Sequence, residues 1–450
     1  MTEGSLEAPI RHQIPWREAD FNDPDKINAE LRRVFDICHG CRRCFNLCDS
    51  FPKLFDLIDE SESGELDTVN SAGFKPVVDA CTLCDMCFMT KCPYVPPHEF
   101  DLDFPHLMLR YRKMEFDQGK VGFAHRQLTE TDRNGRLVGK AAHLANWASK
   151  SGNNLTRPVL ESIAGIHRDA DLPKYHAPAF ENSTAGIPDL NVNAPAHGRK
   201  AALYATCFVN YNSPAIGEAT RAVLARNGVE TEVVYPSCCG MPQLEQGDIA
   251  RVVENAKKVA AELVGWINRG YDILALTPSC ALMLKFEWPL IVPDDENVKK
   301  ISAATSDIAE YVVDIAKNEG LADGLQPLDG SVSLHFSCHA RAQNMGPKAA
   351  DMLRLIPDTE IDFIERCSGH GGSWGVMKEN FEVALKIGRP AARKALESAA
   401  GYVVSECPLA RDHILQGLAK FDDGGPELAN RCSVDNIRHP IQLFAKAYGF

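Results

Sequence analysis

Long apolar runs are missing from this 450-residue sequence. The longest uncharged stretch, residues 201–217, contains Asn210, Asn212, Ser213, Pro214 and Gly217, and falls short of the ~20 apolar residues a membrane-spanning helix needs. The opening MTEGSLEAPIRHQIPW has no apolar h-region, so no secretory signal is expected. Positive charge is in deficit: 48 Lys and Arg against 61 Asp and Glu give a formal net charge of -13. That balance excludes a dominant nucleic-acid-binding surface. No flavin or nicotinamide fingerprint is present either. Residues 369–375, GHGGSWG, place Trp374 where G-x-G-x-x-G requires its third glycine. Flavin- or nicotinamide-based chemistry is therefore expected on another subunit.

What the chain has in excess is cysteine. Sixteen in a chain without a secretory signal point to metal ligation and not to a disulfide framework. Two runs lie near the N-terminus: Cys38-x2-Cys41-x2-Cys44-x3-Cys48, and Cys81-x2-Cys84-x2-Cys87-x4-Cys92-Pro93. A C-x2-C-x2-C triplet offers three thiolates to one cubane, and in two-cluster ferredoxins the fourth cysteine of each run serves the other cluster. The expected sets are Cys38, Cys41, Cys44 and Cys92 on one 4Fe–4S cluster, and Cys81, Cys84, Cys87 and Cys48 on the other. Zinc ligands come as spaced pairs on separate knuckles, which fits this spacing poorly.

The remaining cysteines, Cys432 aside, form a repeat offset by about 130 residues. YATC (204–207) matches HFSC (335–338), PSCCG (236–240) matches ERCSG (365–369), and LTPSC (276–280) matches VVSEC (403–407). Strands are expected at AALYA, TEVVY, YDILAL, SVSLHF, IDFIE and GYVVSE. Helices are expected after Ser213 as N-cap with Pro214 at N1, from Asp248 to Gly270, and over 347–356 and 377–398. Such alternation means parallel sheets, whose ligands gather beyond the carboxyl ends of the strands. Cys207, Cys238, Cys239 and Cys280 are the candidate ligands of the first copy; Cys338, Cys367 and Cys407 are those of the second. Ser368, Cys432, His339 or His370 could complete the second set.

The double ferredoxin motif followed by two Cys-Cys-Gly repeats resembles the C subunit of anaerobic glycerol-3-phosphate dehydrogenase and the D subunit of heterodisulfide reductase, over about residues 30–450. The strings CCGMPQLEQGD, CHARAQNMG, CSGHGGSWG and HPIQLFAKAYG carry the likeness. CPYVPPHEFDLDFPHLMLR (92–110) is similar to a rubrerythrin-associated branch. The resemblance implies electron transfer between a partner flavoprotein or rubrerythrin-like protein and a quinone or small carrier. It also implies a noncubane 4Fe–4S cluster in the first repeat. The family motif closes with C-x2-C, whereas Cys280 is followed by Met283 and Cys407 by Ala410, and Ser368 stands where a cysteine is expected. The rival functions are a thiol/disulfide reductase acting at the first repeat and a non-redox metal-binding structural or regulatory protein.

The expected fold is an α+β multidomain chain: an extension (1–26), a mainly helical ferredoxin-type domain (27–125), a helical segment and linker (126–199), and two tandem α/β repeats (200–325 and 326–450). Residues 49–80 include an acidic stretch, DLIDESESGELD (56–67), expected to be a solvated connecting loop. Arg341, Gln343 and Asn344, just past a cysteine strand, either tune a cluster or cap a helix. Residues 107–157 hold ten Lys/Arg and four Asp/Glu, with Leu137, Ala141, Leu144 and Trp147 expected on one helix face. The plain expectation is that this helix packs between domains; the alternative is peripheral contact with the inner face of the cell membrane. The expected location is cytoplasmic.

Overall fold

Strand and helix alternate after residue 199 because short β-branched runs there are separated by long amphipathic helices. The computed structural model describes residues 4–5, 7–183, 188–421, 424–434 and 436–450; the 184–187 part of the expected linker lies outside them. β1 (Lys200–Tyr204), β2 (Glu230–Val234), β3 (Asp272–Ala275) and β4 (Thr305–Asp307) form a parallel sheet ordered β2-β1-β3-β4. β5 (Val332–His335), β6 (Ile361–Ile364) and β7 (Tyr402–Ser405) form a second parallel sheet, β6-β5-β7. In each, the chain leaves the first strand for one neighbour and then crosses to the other. That order makes a switch-point crevice at the carboxyl ends of the strands.

Six strands lie where the alternation places them. β4 was not anticipated, since Thr-Ser-Asp carries no apolar signal; it is paired to β3, and Asp307 then opens the helix Ile308–Asn318 with a capping box. Pro214 begins the helix Pro214–Arg226 as expected, although the Ser213 side chain makes no capping hydrogen bond. Asp248 caps Ile249–Ile267 by accepting from the Arg251 N–H. The helices expected at 347–356 and 377–398 are Lys348–Leu353 and Phe381–Ser398.

The N-terminal module is helical as expected, and departs from expectation between its two cysteine runs. Asp23 caps the helix Pro24–Cys41, which buries Ile27, Leu31, Val34 and Phe35. Residues 49–80 are a loop only over part of the acidic stretch, at 60–65. They hold the helix Ser50–Asp59, which buries Phe51, Leu54, Phe55 and Ile58 beneath its acidic surface, and the helix Lys75–Asp79. One hydrophobic core joins these side chains to Cys238, Cys239, Cys280 and Trp288 of the first repeat. A second core joins both repeats, and the C-terminal helix Pro440–Ala447 packs on Pro214–Arg226. Both cores cross the expected domain boundaries.

The basic segment is corrected as well. The stripe from Leu137 to Trp147 is not one helix: Thr131–Gly139 ends before Ala142–Ser149 begins. The apolar side chains of the stripe face outward, Leu137, Leu144 and Trp147 being 61%, 65% and 53% exposed, while Thr131–Gly139 packs by its other face on the first repeat, as the plain expectation has it.

The extension is tied to the first repeat. The Ile14 N–H donates to the Leu290 carbonyl (2.8 Å), and Trp16 Nε1 donates to the Ile291 carbonyl (3.1 Å). Arg11 sits among Asp85 (2.7 Å), Asp103 (3.0 Å) and Glu287 (2.9 Å), which outweigh the burial that opposes its charge. His106 lies against Asp103 and Glu287 and is raised to about 9, the two carboxylates overcoming burial and the nearby Arg11. Arg11→Ala strands buried carboxylates, so urea unfolding is expected to show a loss of about 3–5 kcal/mol; an unchanged midpoint contradicts this role.

Candidate functional site

The N-terminal cysteines are set by helix ends and a contorted loop. Arg42, at φ 53°, terminates the helix that carries Cys38 and Cys41. In the Cys81–Cys87 loop, Leu83 (φ 48°) and Asp85 (φ 63°) adopt the left-handed region without being glycine. Such residues cost of order 1–3 kcal/mol each and concentrate at functional sites. Here the Leu83 N–H bears on the Cys81 sulfur. Arg112 clamps the loop, donating to the Val78 carbonyl (2.7 Å), the Cys81 carbonyl and the Glu245 carbonyl (3.0 Å).

The eight thiols fall into two neighbourhoods. Cys38 is acted on by Cys92, Cys44 and Cys41, while Cys48 is acted on by Cys84 and Cys81. Cys87 feels Cys84, Cys81 and Cys48 first, and then Cys44 of the other set. Burial pushes Cys38, Cys48 and Cys87 well up, and Cys81 up to about 11. Thiols this costly to ionise in isolation are suited to a cationic metal partner that takes the thiolate.

In the first repeat the four sulfurs follow one another, with Cys238 and Cys239 also acting on each other. Cys207 and Cys238 Sγ are 3.9 Å apart, and Cys239 and Cys280 Sγ are 3.2 Å apart. Cys238 is held well below the usual thiol range, first by the Cys207 thiol and then by Cys239, with Thr131 and the Gly240 N–H assisting. Gly240, at φ 93°, makes the turn that aims its N–H at Cys238 Sγ (3.5 Å). Trp288 Nε1 donates to the Cys239 carbonyl (3.0 Å).

Several side chains here were not anticipated. The Thr131 hydroxyl bears on both Cys207 and Cys238, and Asp132 accepts from the Cys238 N–H (2.9 Å) and the Tyr235 hydroxyl. Both come from the helix Thr131–Gly139. That helix lies so close that a Cβ on Gly135 would sit 2.2 Å from the Tyr211 ring. The contact spans 106 residues, so local pattern gave no sign of it; Gly135 inside a helical stretch was the one available hint.

Strand register corrects the repeat alignment. Tyr204 pairs with Ala275, and His335 pairs with Ser405. Pro278 and Pro408 both open helices, after Thr277 and Cys407 as N-caps. Cys407 is therefore the counterpart of Thr277, and Cys280 that of Ala410. Matching LTPSC to VVSEC aligned cysteine with cysteine, whereas the helix-opening proline fixes the register.

In the second repeat the Cys338 thiol is pushed well up by the Cys367 and Cys84 thiols and by burial. Cys367 is lowered to about 7 by the Cys338 thiol, with the Gly369 N–H (3.4 Å) assisting. Cys407 stands outside this group; it is raised to about 11 by burial, and the charged groups acting on it are Asp412 and Glu406. Cys432 does not complete the set, being buried in a separate core with Ile364, Val403 and Ile414. His339 is a strut, pairing Nδ1 with Ser279 Oγ (2.8 Å) and Nε2 with the Leu83 carbonyl (3.3 Å). His370 Nδ1 accepts from the Gly372 N–H (2.8 Å). Gln343 caps its helix and donates to the Pro278 carbonyl (3.3 Å), while Asn344 is exposed.

Two buried carboxyls face this region. Burial and then Asp307 raise Glu406 to about 8, and Asp307 is raised by burial to about 6. Glu406 Oε2 accepts from the Ser337 N–H (3.2 Å). Both values lie above those of the unfolded chain, so their stabilising protonated forms are complete below about pH 4 and are lost as pH rises through 6 and then 8. Glu406→Gln stays neutral throughout. Its urea midpoint is expected to fall less than the wild type's between about pH 5 and 9; equal falls contradict the assignment.

Among the described residues no three His, Cys, Asp or Glu side chains converge on a single-ion site. Residues 201–285 and 332–409 match the cysteine-rich CCG domain family. The chain is 26% identical over 348 residues to the C subunit of the anaerobic glycerol-3-phosphate dehydrogenase of Escherichia coli, covering 76% of this chain and 81% of that protein. It is 30% identical over 229 residues to an uncharacterized iron-sulfur protein of Methanococcus maripaludis (49% and 42%). It is 26% identical over 239 residues to the B subunit of the fumarate reductase (CoM/CoB) of Methanothermobacter marburgensis (52% and 45%). The chain carries two cysteine-rich domains of the CCG family, and its relatives are the C subunit of anaerobic glycerol-3-phosphate dehydrogenase and iron–sulfur proteins.

Proposed function

We propose that this chain is the electron-transfer subunit of an oxidoreductase complex. Cys38, Cys41, Cys44 and Cys92 hold one 4Fe–4S cluster, and Cys48, Cys81, Cys84 and Cys87 hold a second. Cys207, Cys238, Cys239 and Cys280 hold a third, of noncubane type. The observation that carries this reading is the sorting of the eight N-terminal thiols into two crossed neighbourhoods that share one core with the first repeat's sulfurs. When bound, such clusters supply one-electron steps. The chain's own residues hold the thiolates, exclude water and fix the separations, with Arg112 and His339 bracing the module against the repeats. The partner is a dehydrogenase flavoprotein or rubrerythrin-like protein, and electrons pass to a quinone or small carrier.

Anaerobic purification with iron and acid-labile sulfide assays tests this. About twelve irons are expected in the wild type and about eight in Cys239→Ser, with the ferredoxin-type paramagnetic signals retained. Zinc without sulfide overturns the reading.

The exposed apolar side chains support contact with an anionic lipid surface. Leu144, Trp147, Leu155 and Ile163 are each more than half exposed, in and just beyond a segment with ten basic and four acidic residues. Basic charge with exposed Trp and Leu suits the headgroup boundary. No described helix is long and apolar enough to cross a membrane. The Leu144→Glu/Trp147→Glu variant is expected to lose most sedimentation with phosphatidylserine-containing liposomes; undiminished binding rejects the contact.

A further inference from the structure

The N-terminal arm threads past three of the cysteine-bearing segments in turn. The Ser5 N–H donates to the carbonyl of Pro93 (2.8 Å), which follows Cys92, and the Ile10 N–H donates to that of Pro96 (3.0 Å). Arg11 then reaches the Cys81–Cys87 loop, where its guanidinium carbon lies 4.5 Å from the ring centre of Phe88, the residue after Cys87. Ile14 and Trp16 fasten the arm to Leu290 and Ile291, just beyond Trp288 of the first repeat.

The Arg11 guanidinium joins two of these segments directly. Nη2 donates to Asp85 Oδ1 (2.7 Å) and Nη1 to Asp85 Oδ2 (2.9 Å), a bidentate pair, and the same Nη1 donates to Glu287 Oε1 (2.9 Å). Nε donates to Asp103 Oδ2 (3.0 Å) and steadies the fork from its third side. Asp85 follows Cys84 in sequence, and Glu287 precedes Trp288, whose Nε1 donates to the Cys239 carbonyl (3.0 Å). Covalent and hydrogen bonds therefore run without a gap from Cys84 through Asp85, Arg11, Glu287 and Trp288 to Cys239. Asp85, Glu287 and Trp288 are all buried, so the path is shielded from solvent. A planar guanidinium spans these acceptors at once, whereas the point charge of a lysine cannot hold the same fork.

We propose that Arg11 is a positioning residue for electron transfer between the second N-terminal set and the first repeat, its guanidinium closing the bonded path from Cys84 to Cys239. The proposal rests on reading both sets as holders of 4Fe–4S clusters. The step moves one electron: the group held by Cys48, Cys81, Cys84 and Cys87 is oxidised as that held by Cys207, Cys238, Cys239 and Cys280 is reduced, or the reverse. No bond forms or breaks. Arg11 acts by fixing how closely the Cys81–Cys87 loop and the Cys239 turn approach, and by replacing a jump across a gap with charge-assisted hydrogen bonds. The arm that carries it is thus a working part of the conduit, supplied by residues far in sequence from either set.

The test uses the full chain, purified anaerobically, with iron and sulfide counted first. A flash on a deazaflavin injects substoichiometric electrons, and freeze-quench electron paramagnetic resonance follows their redistribution between the ferredoxin-type and first-repeat signals. Arg11→Lys keeps the charge and loses the fork; it is expected to retain iron and midpoint potentials while redistribution slows by roughly tenfold. Trp288→Phe removes the Nε1 donor at the other end of the path and is expected to slow the same step. The double variant should be no slower than the slower single one, since both break one path. Arg199→Lys, on a surface ion pair of the first repeat, should leave the rate unchanged. An unaltered rate in Arg11→Lys overturns the proposal, as does a multiplied effect in the double variant or a shift of potentials that accounts for the slowing. Should Arg11→Lys lose iron, Trp288→Phe decides alone, and its unaltered rate overturns the proposal. About eight irons in the wild type defeats the first-repeat cluster instead, and that count precedes any kinetics.

Discussion

Buried sulfur is the constraint on which this structure depends. A thiolate in a low-dielectric interior is unfavourable without a cation or a hydrogen-bond donor, and this chain gathers its cysteines at loop turns and just past strand ends. The fold meets the constraint with backbone. Switch-point crevices of two parallel sheets place thiols past the strand ends, glycine turns direct N–H groups at Cys238 and Cys367, and left-handed Leu83 and Asp85 bend the Cys81–Cys87 loop around its sulfurs.

Holding three sulfur groups in register demands rigidity between modules. Arg11 draws Asp85, Asp103 and Glu287 together, His339 spans the N-terminal loop and both repeats, and Arg112 joins the Val78 and Cys81 carbonyls to that of Glu245. These ties connect carbonyls and carboxylates on segments remote in sequence. A displacement at one sulfur group is thereby resisted by the others, as fixed electron-transfer distances require.

Much of this was legible from the residues. The cysteine spacings separated the N-terminal runs from the repeats, and strand–helix alternation located six strands and the parallel sheets. Other features were hidden for physical reasons. β4 is three polar residues whose strand conformation comes from pairing with β3, with no apolar alternation to announce it. The helix Ser50–Asp59 buries Phe51, Leu54, Phe55 and Ile58, a helical spacing obscured by the acidic composition around it. Asp132 reaches the Cys238 backbone N–H from a segment that reads as a connector. Cys407 was paired with Cys280 because string similarity rewards identical letters, whereas hydrogen-bond register and the helix-opening prolines at 278 and 408 decide which positions are equivalent.

The C-terminal helix Pro440–Ala447 packs on Pro214–Arg226 in the first repeat, and the Tyr448 hydroxyl donates to the Ala322 carbonyl at 2.9 Å. During synthesis domains ordinarily mature in the order they leave the ribosome. Here the outer helix layer of the first repeat includes Pro440–Ala447, a segment that follows the whole second repeat in sequence. The two repeats and this helix share one core, so neither repeat completes its packing without the other.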